Sequence, residues 1–219
     1  MEELIECSSL YKFGITTNNY LSISGDYNFT FEDDIVKNLL KLTDNSLILH
    51  TNAHLLFNKI PNTITKLILN FPVYNGITLD NLPSGLKELY ILTMHGYFNK
   101  PINNLPPTLE ILGIESDNFN QSLDYLPKSL KELTIQSNVF CNSLDNLPPN
   151  LEQLTLLPNL YEDPDLNGEI AEWIPDDFIY LPNTLKNLTI SKKYNLDEKH
   201  NKGINLIQTK YPNLHINVL

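Results

Sequence analysis

The sequence predicts a solenoid of stacked β-strand units, and three observations lead to this prediction. A pattern that begins with Leu-Pro or Ile-Pro returns along the chain, starting at Ile60, Leu82, Leu105, Leu126, Leu147 and Leu181. Prolines stand at positions 61, 83, 106, 127 and 148, with successive spacings of 22, 23, 21 and 21. Each copy ends with apolar residues at alternate positions, which is the period of a strand with one buried face. One unit cannot bury its apolar side alone, whereas stacked units share a continuous core.

Within one unit, each residue type suits its expected place. In the copy that starts at Leu126, Leu133 and Ile135 are predicted to point into the core and Thr134 to point outward. Leu130 packs into the same core as the chain curves. Pro127 fixes φ and lacks an N–H, so it suits the turn before the strand. Asn, Asp, Ser and Gly fill the returns, where their side chains can bond to backbone groups that no strand pairs.

The pattern Leu-Pro-x-x-Leu-x-x-Leu-x-Leu resembles a leucine-rich repeat. The segments 98–102, 119–123 and 140–144 (Phe-Asn-Lys-Pro-Ile, Phe-Asn-Gln-Ser-Leu and Phe-Cys-Asn-Ser-Leu) resemble the FNIP repeat, a variant known mainly from slime moulds and giant DNA viruses of amoebae. The resemblance covers about residues 57–156 and 181–190, with a looser copy at 74–77. It implies a leucine-rich-repeat solenoid, a β-rich α/β horseshoe with loops on its convex side. Cys141 stands where the motif has Asn, so we expect a small residue within a repeat rather than a reactive thiol.

Further units are predicted beyond the clear copies. Strands are expected at 21–23 and 47–49, joined by an amphipathic helix over about 31–42. The inward residues of that helix are predicted to be Ile35, Val36, Leu39, Leu40 and Leu42. A helix from about 203 to 211, ended by Pro212, should precede a strand at 214–218. The total is about nine parallel strands, with helices only near the termini.

Two regions follow from this organisation. Residues 1–45 are predicted to form an N-terminal cap and a first unit with its helix, with residues 1–20 covering the open end of the core. Residues 46–219 form the repeat array, which ends in the helix-strand unit. The spacing from Pro148 to Pro182 is 34 instead of 21, so an insertion lies at about 157–180. It contains the single tryptophan, Trp173, and loops of this length either bind something or are merely tolerated.

Composition excludes several classes of partner. The chain carries 26 acidic and 15 basic residues for a formal net charge of -11, and all of the basic residues are Lys. Proteins that bind phosphate backbones present a basic face rich in Arg, so nucleic acid and anionic membranes are not expected as partners. No apolar run reaches the roughly 18–20 residues that span a bilayer, and the acidic start does not resemble a secretory signal. We therefore expect a cytoplasmic protein, in the host cytoplasm if the source is viral. Cys7 and Cys141 do not make a disulfide framework.

The outward strand positions are predicted to form one sheet face, the concave face that the resemblance implies. The part nearer the N-terminus is apolar and aromatic, which suggests a protein contact surface, although Ile, Tyr and Thr are also simply good strand formers. The candidate protein-binding residues are Ile68, Tyr90, Leu92, Ile111, Glu88, Glu132, Thr134 and Thr155. The expected partner is a protein, from the host if the source is viral.

One segment of the insertion matches part of a calcium-binding loop. Asp163, Asp165 and Asn167 alternate before Gly168, as in the first positions of an EF-hand loop. The twelfth position is Ile174 instead of a bidentate Glu, so an acidic turn without metal is the default and calcium the weaker alternative. His50 and His54 lie four residues apart, but no further ligand at metal spacing accompanies them. We predict no cofactor.

An enzyme is the minor alternative. Parallel β-helices have units of similar length, and some cleave polysaccharides with paired carboxylates. Glu88 and Glu132 are predicted to lie two strands apart, about 9.6 Å, just beyond the roughly 6.5–9.5 Å that inverting glycosidases use. Ile111 lies between them, so no catalytic site is predicted.

A protein-interaction scaffold is therefore the expected function, and a structural or self-associating viral protein is the second alternative. FNIP-repeat proteins often carry an F-box that links the repeats to ubiquitin ligation. Residues 1–50 lack its Leu-Pro-x-Glu opening and its downstream Trp, so this role is not carried over.

Overall fold

The computed structural model describes residues 3–8, 11–25, 34–50, 60–70, 79–93, 98–158, 180–191, 205 and 207–219. Eleven strands within these ranges form one sheet, and their spatial order follows their order in the chain. The strands are β1 (Glu3–Ser8), β2 (Tyr11–Ile15), β3 (Leu21–Gly25), β4 (Ser46–His50), β5 (Lys66–Asn70), β6 (Glu88–Leu92), β7 (Ile111–Glu115), β8 (Glu132–Gln136), β9 (Gln153–Leu157), β10 (Asn187–Ile190) and β11 (His215–Val218).

Strands β3 to β11 are parallel, each paired with the next, which confirms the predicted stack of nine. Leu89, Leu112, Leu133 and Leu154 are consecutive register partners on β6 to β9. Strands β1 and β2 instead pair antiparallel and extend the sheet beyond β3. The cap predicted for residues 1–20 thus contains a hairpin in line with the sheet, and its covering role stays a prediction.

The core is a column of side chains repeated from unit to unit. Leu109, Leu130 and Leu151, which precede their strands by two positions, are completely buried, as the repeat pattern predicts. Behind them, the first residues of the three FNIP-like segments form a buried stack. Phe98 and Phe119, and then Phe119 and Phe140, have ring centroids 6.0 Å apart and nearly parallel planes. Identical residues at one repeat position therefore pack on each other along the solenoid axis.

The turns before the strands explain the Leu-Pro motif. In each described copy the Leu or Ile three positions after the proline donates its backbone N–H to the proline carbonyl, as Leu130 does to Pro127 at 3.0 Å. In the copies that start at Leu105, Leu126 and Leu181, the hydroxyl residue just before that Leu bridges to the previous unit. Ser129 Oγ lies within hydrogen-bond distance of the Pro107 and Leu109 carbonyls, at 2.7 and 2.6 Å. These carbonyls lie outside the strand ladder, so the side chain satisfies acceptors that the ladder does not reach.

A second column of side chains holds the returns together. Asn99 Oδ1 accepts the backbone N–H of Asn120 at 3.0 Å, and Asn120 Oδ1 accepts the backbone N–H of Cys141 at 3.1 Å. Cys141 therefore occupies the third place in the Asn column, where its thiol is exposed. Cys141 has no side-chain amide, so the column of Asn side chains ends at this residue. The backbone N–H of Cys141 is still bonded, to Asn120 Oδ1.

The N-terminal helix, α1 (Asp34–Leu42), lies between β3 and β4. Leu40 is buried as predicted, but the prediction that Leu42 points inward is wrong, because this side chain is 71% exposed. Thr43 takes the buried place instead, and its hydroxyl donates to the Leu40 carbonyl at 3.1 Å. Asp44 and Asn45, both at positive φ, then turn the chain into β4. The other predicted inward side chains of this helix lie outside the described residues: Ile35, Val36 and Leu39.

The C-terminal unit agrees with the predicted helix and strand where it is described. Residues 207–210 are helical, Ile207 is buried, and β11 follows Pro212 and Asn213. Of the insertion, only its first and last residues are described, so Trp173 lies outside the described residues. In the part of the chain that the structure describes, no helix is long and apolar enough to cross a bilayer.

Candidate protein-binding face

The sheet face consists of the outward positions of β4 to β11, which the strand register arranges in columns. The first column runs Ser46, Lys66, Glu88, Ile111, Glu132, Gln153, Asn187 and His215. The middle column runs Ile48, Ile68, Tyr90, Gly113, Thr134, Thr155, Thr189 and Asn217. The third runs His50, Asn70, Leu92, Glu115, Gln136 and Leu157. All eight residues proposed for binding from the sequence lie on this face and are half-buried.

Four apolar residues form a continuous patch on β5 to β7, here called the apolar patch: Ile68, Tyr90, Leu92 and Ile111. Ile68 and Tyr90 are direct register partners, and Leu92 follows Tyr90 on the same face of β6. Ile111 is the register partner of Glu88, at the start of the next strand. The alternation of apolar residues in each strand predicted that these side chains face outward, and the observed register of β5 to β7 places them side by side.

Tyr90 has a specific neighbour that the sequence did not reveal. A Cβ placed on Gly113 would lie 2.6 Å from Tyr90 Cδ1 and 3.1 Å from Cε1, so the ring lies directly against the glycine backbone. No larger residue fits at position 113 unless the ring moves. Glycine weakens a strand interior and often marks a close approach. The Tyr90 ring thus covers the Gly113 backbone, where no side chain projects. The other side of the ring belongs to the sheet face.

Tyr20 belongs to this region, and sequence reasoning missed it. It lies just before β3, in line with the first column, because Leu21 pairs with Leu47. Burial raises the pKa of the Tyr20 hydroxyl, and the Glu88 carboxylate raises it further. Burial likewise raises the pKa of Tyr90, with the charge of Glu88 the next cause and Tyr20 contributing. The signal that could have found Tyr20 was its position directly before the predicted strand at 21–23.

The two glutamates of the first column contact strands on opposite sides: Glu88 contacts β5 and Glu132 contacts β9. The Glu88 carboxylate lies 3.1 Å from the Lys66 ammonium, and this pairing raises the pKa of Lys66. The Glu132 carboxylate accepts a hydrogen bond from the Gln153 amide at 3.0 Å. Ile111 separates the two on β7. Each carboxylate therefore bonds to a strand on the side away from the other carboxylate.

Glu115 ends β7 in the third column, next to Leu92 and Gln136. Burial raises the pKa of its carboxyl, and the charge of Asp117 raises it further. Asp117 is itself 8% exposed and accepts a hydrogen bond from the Asn138 amide at 3.3 Å. Burial and the charge of Asp117 thus disfavour the charged form of Glu115 in the isolated chain. It was not among the residues proposed from sequence.

On β8 to β10 the face is polar except for Leu157, which ends β9 in the third column. Thr134 and Thr155 are register partners at its middle, and Thr189 follows them. Thr134 lies directly beside the apolar patch, and the other two hydroxyl side chains continue away from it. Ser191, in line with the third column, is instead buried at 7% exposure just after β10 ends.

Of the residues considered for a metal site from the sequence, the structure describes only His50. His50 Nε2 lies 3.1 Å from Ser22 Oγ on the neighbouring strand, whereas His54 lies outside the described residues. The calcium candidates Asp163, Asp165 and Asn167 also lie outside them. In the ranges that are described, no three His, Cys, Asp or Glu side chains are grouped so that they could hold a metal ion.

Comparison with known proteins supports the family and the fold. The FNIP Repeat family model matches residues 98–138, which span the first two clear FNIP-like segments. Among solved structures, CroV588, described as a novel circular LRR protein structure, aligns with a TM-score of 0.50 at 17% identity. The alignment covers 96% of this chain and 31% of that chain, so this chain spans about a third of its length. No curated protein shows significant sequence similarity. The chain therefore has the fold of a leucine-rich-repeat solenoid, and its residues 98–138 match the FNIP repeat.

Proposed function

We propose that this protein is an interaction scaffold that holds a partner protein against its sheet face. The observation that carries the proposal is the apolar patch. Its four side chains lie on adjoining strands and remain partly exposed, and Ile48 on β4 continues the patch next to Ile68. Lys66 and Glu88 border it at the strand starts, Asn70 at the strand ends, and Thr134 on the β8 side. An apolar centre with a polar rim is typical of protein contact surfaces.

Tyr90 is the best candidate for an anchor of the partner. Its ring already packs against the Gly113 backbone, and this contact lowers the side-chain entropy that binding would cost. Tyrosine is enriched among residues that dominate binding energy, since it offers apolar area and a polar hydroxyl together. Strand propensity alone accounts for Ile and Thr on this face, but it does not account for the glycine that receives the ring.

We place this interaction in the cytoplasm, and with a host protein if the source is viral. The FNIP match supports this placement, because that repeat is known mainly from slime moulds and giant DNA viruses of amoebae. The net charge of -11 makes nucleic acid and anionic membranes unsuitable partners.

Capture of a partner on the immobilised full chain tests the proposal. Proteins retained from an amoebal extract would be quantified for the wild type and for the Tyr90→Glu, Leu92→Glu double variant, which puts two charges into the apolar patch. Tyr125→Glu is the matched control, because Tyr125 is 66% exposed and lies outside the strands.

The expected result is that at least one protein is lost by the double variant and kept by the control. Equal retention by all three chains would contradict binding through this face. Light scattering on the same samples separates a foreign partner from a second copy of the chain, since self-association through the patch would raise the mass of the wild type and not that of the double variant.

A further inference from the structure

The sheet face carries an excess of acid around the apolar patch. Histidines aside, its charged residues on β4 to β9 are Lys66, Glu88, Glu115 and Glu132. Lys66 is paired with Glu88 at 3.1 Å. Among the described residues, no cation lies within salt-bridge distance of Glu115 or Glu132. Two negative charges on this face thus have no opposite charge from the described chain.

These two carboxylates frame the patch from opposite ends of the strands. Glu132 begins β8 next to Ile111, whereas Glu115 ends β7 next to Leu92. Their levels differ by four positions along the strands, which is about 13 Å at roughly 3.3 Å per residue. Tyr90, seated on Gly113, lies between the two levels.

We propose that the site binds a basic segment of the partner protein, in which two Lys or Arg side chains flank an apolar one. This inference rests on the proposed function and specifies its partner. One cation pairs with Glu115 and the other with Glu132, and the apolar side chain packs on Tyr90 and Leu92. An extended segment places residues i, i+2 and i+4 on one face and separates the outer two by about 13 Å, which matches the separation of the two carboxylates measured along the strands.

Two further properties favour a cationic partner. The charge on Glu115 is penalised by burial and by Asp117, and a bound cation would relieve that penalty. The exposed side of the Tyr90 ring also offers a cation–π contact to a side chain that crosses it. The net charge of -11 adds long-range attraction for a basic segment and repels an acidic one.

The probe is the peptide acetyl-Gly-Arg-Ser-Leu-Ser-Arg-Gly-amide, compared with the version in which Glu replaces both Arg. Each is titrated into the ¹⁵N-labelled full chain at low salt, and amide chemical shifts are followed. The basic peptide should shift amides of β6 to β8, and Glu115→Gln or Glu132→Gln should each weaken binding about threefold. Asp145→Asn is the matched control, because it removes one exposed charge outside the strands and should leave the affinity unchanged.

Three outcomes would overturn the basic segment. The acidic peptide could bind as well as the basic one, the basic peptide could fail to shift amides of β6 to β8, or Asp145→Asn could weaken binding as much as the two Gln variants. The last result would assign the attraction to net charge alone. The capture experiment separates this inference from the proposed function. A partner lost from the Tyr90→Glu, Leu92→Glu variant but kept by the Glu115→Gln, Glu132→Gln variant would leave the scaffold standing and remove the basic segment.

Discussion

Tyr90 and Gly113 form a pair in which each residue limits the other. The ring lies where a side chain at position 113 would project, and the two are register partners on β6 and β7. Alternation of apolar residues predicted that both positions face outward. It could not predict this contact, because the direction in which a tyrosine leans depends on the neighbouring strand, which is a whole repeat unit away in the chain.

Gly113→Ala should therefore lower stability in the wild type and raise it once the ring is gone. We expect a loss of about 1 kcal/mol in unfolding free energy, since the added Cβ must displace the ring. In the Tyr90→Ala background the same change should stabilise by about 0.5 kcal/mol, because Ala suits a strand interior better than Gly. Urea unfolding of the four chains measures the coupling. Equal effects of Gly113→Ala in both backgrounds would show that the ring does not lie on the glycine.

Glu115 and Glu110 should respond to pH with opposite signs. The folded-state pKa of Glu115 is raised, first by burial, so its charge weakens the fold as pH rises through that pKa. Glu115→Gln should raise the Tm at pH 7 and leave it unchanged well below pH 4.5, the ordinary value of the group. The pKa of Glu110 is lowered by its hydrogen bond from Lys131, so its stabilising effect is present at pH 7 and lost as pH falls through the folded-state pKa. Glu110→Gln should therefore lower the Tm at pH 7, and thermal unfolding across pH would reveal a shared sign if the two sites were alike.

At the scale of the strand unit, the position before each strand carries a ladder of alternating charge. It runs Lys87, Glu110, Lys131, Glu152 and Lys186, from one unit to the next. Lys131 lies 2.6 Å from the Glu110 carboxylate, and Lys186 is bonded to Glu152. A stack that skipped one unit would bring like charges together. The ladder therefore favours the correct neighbour among units that otherwise look alike.

Lys131→Glu should lower the Tm by more than the same charge change at a position outside this ladder. It would place three carboxylates on successive units, so the Tm should fall and should recover part of the difference at high salt. Lys128→Glu makes the same charge change three positions earlier, outside the ladder, and should have a smaller effect. Calorimetry at low and high salt compares the two variants, and equal losses would show that only the net charge matters.

Strand positions were predictable because three constraints agree in each unit: proline before the turn, leucine at the bend, and alternation in the strand. The prediction for Leu42 failed where only helical period was available, since that period does not reveal where a helix ends. Tyr20 was missed for a related reason. It has no repeat pattern around it, and only the register of β3 with β4 brings it toward the sheet face.

At the scale of the whole molecule, the strands lie in one sheet in their order along the chain, so equivalent positions of successive repeats become neighbours on one surface. The sheet face brings together residues one repeat unit apart, such as Ile68 with Tyr90 or Ile111 with Glu132. An error of one residue in register would exchange the leucines of the core with the residues of the sheet face. Fold and proposed function therefore depend on the same alignment.

A disulfide engineered across the sheet face tests this alignment most directly. In a chain with Cys7→Ser and Cys141→Ser, the variant Thr134→Cys, Thr155→Cys joins register partners on β8 and β9, about 4.8 Å apart at Cα and within disulfide range. The control pair Thr134→Cys, Leu157→Cys is displaced by two positions, about 8 Å apart and outside that range. Mass spectrometry of peptides after mild oxidation should find the cross-link in the first pair and not in the second. A cross-link that formed only in the displaced pair, or equally in both, would contradict the in-register stack.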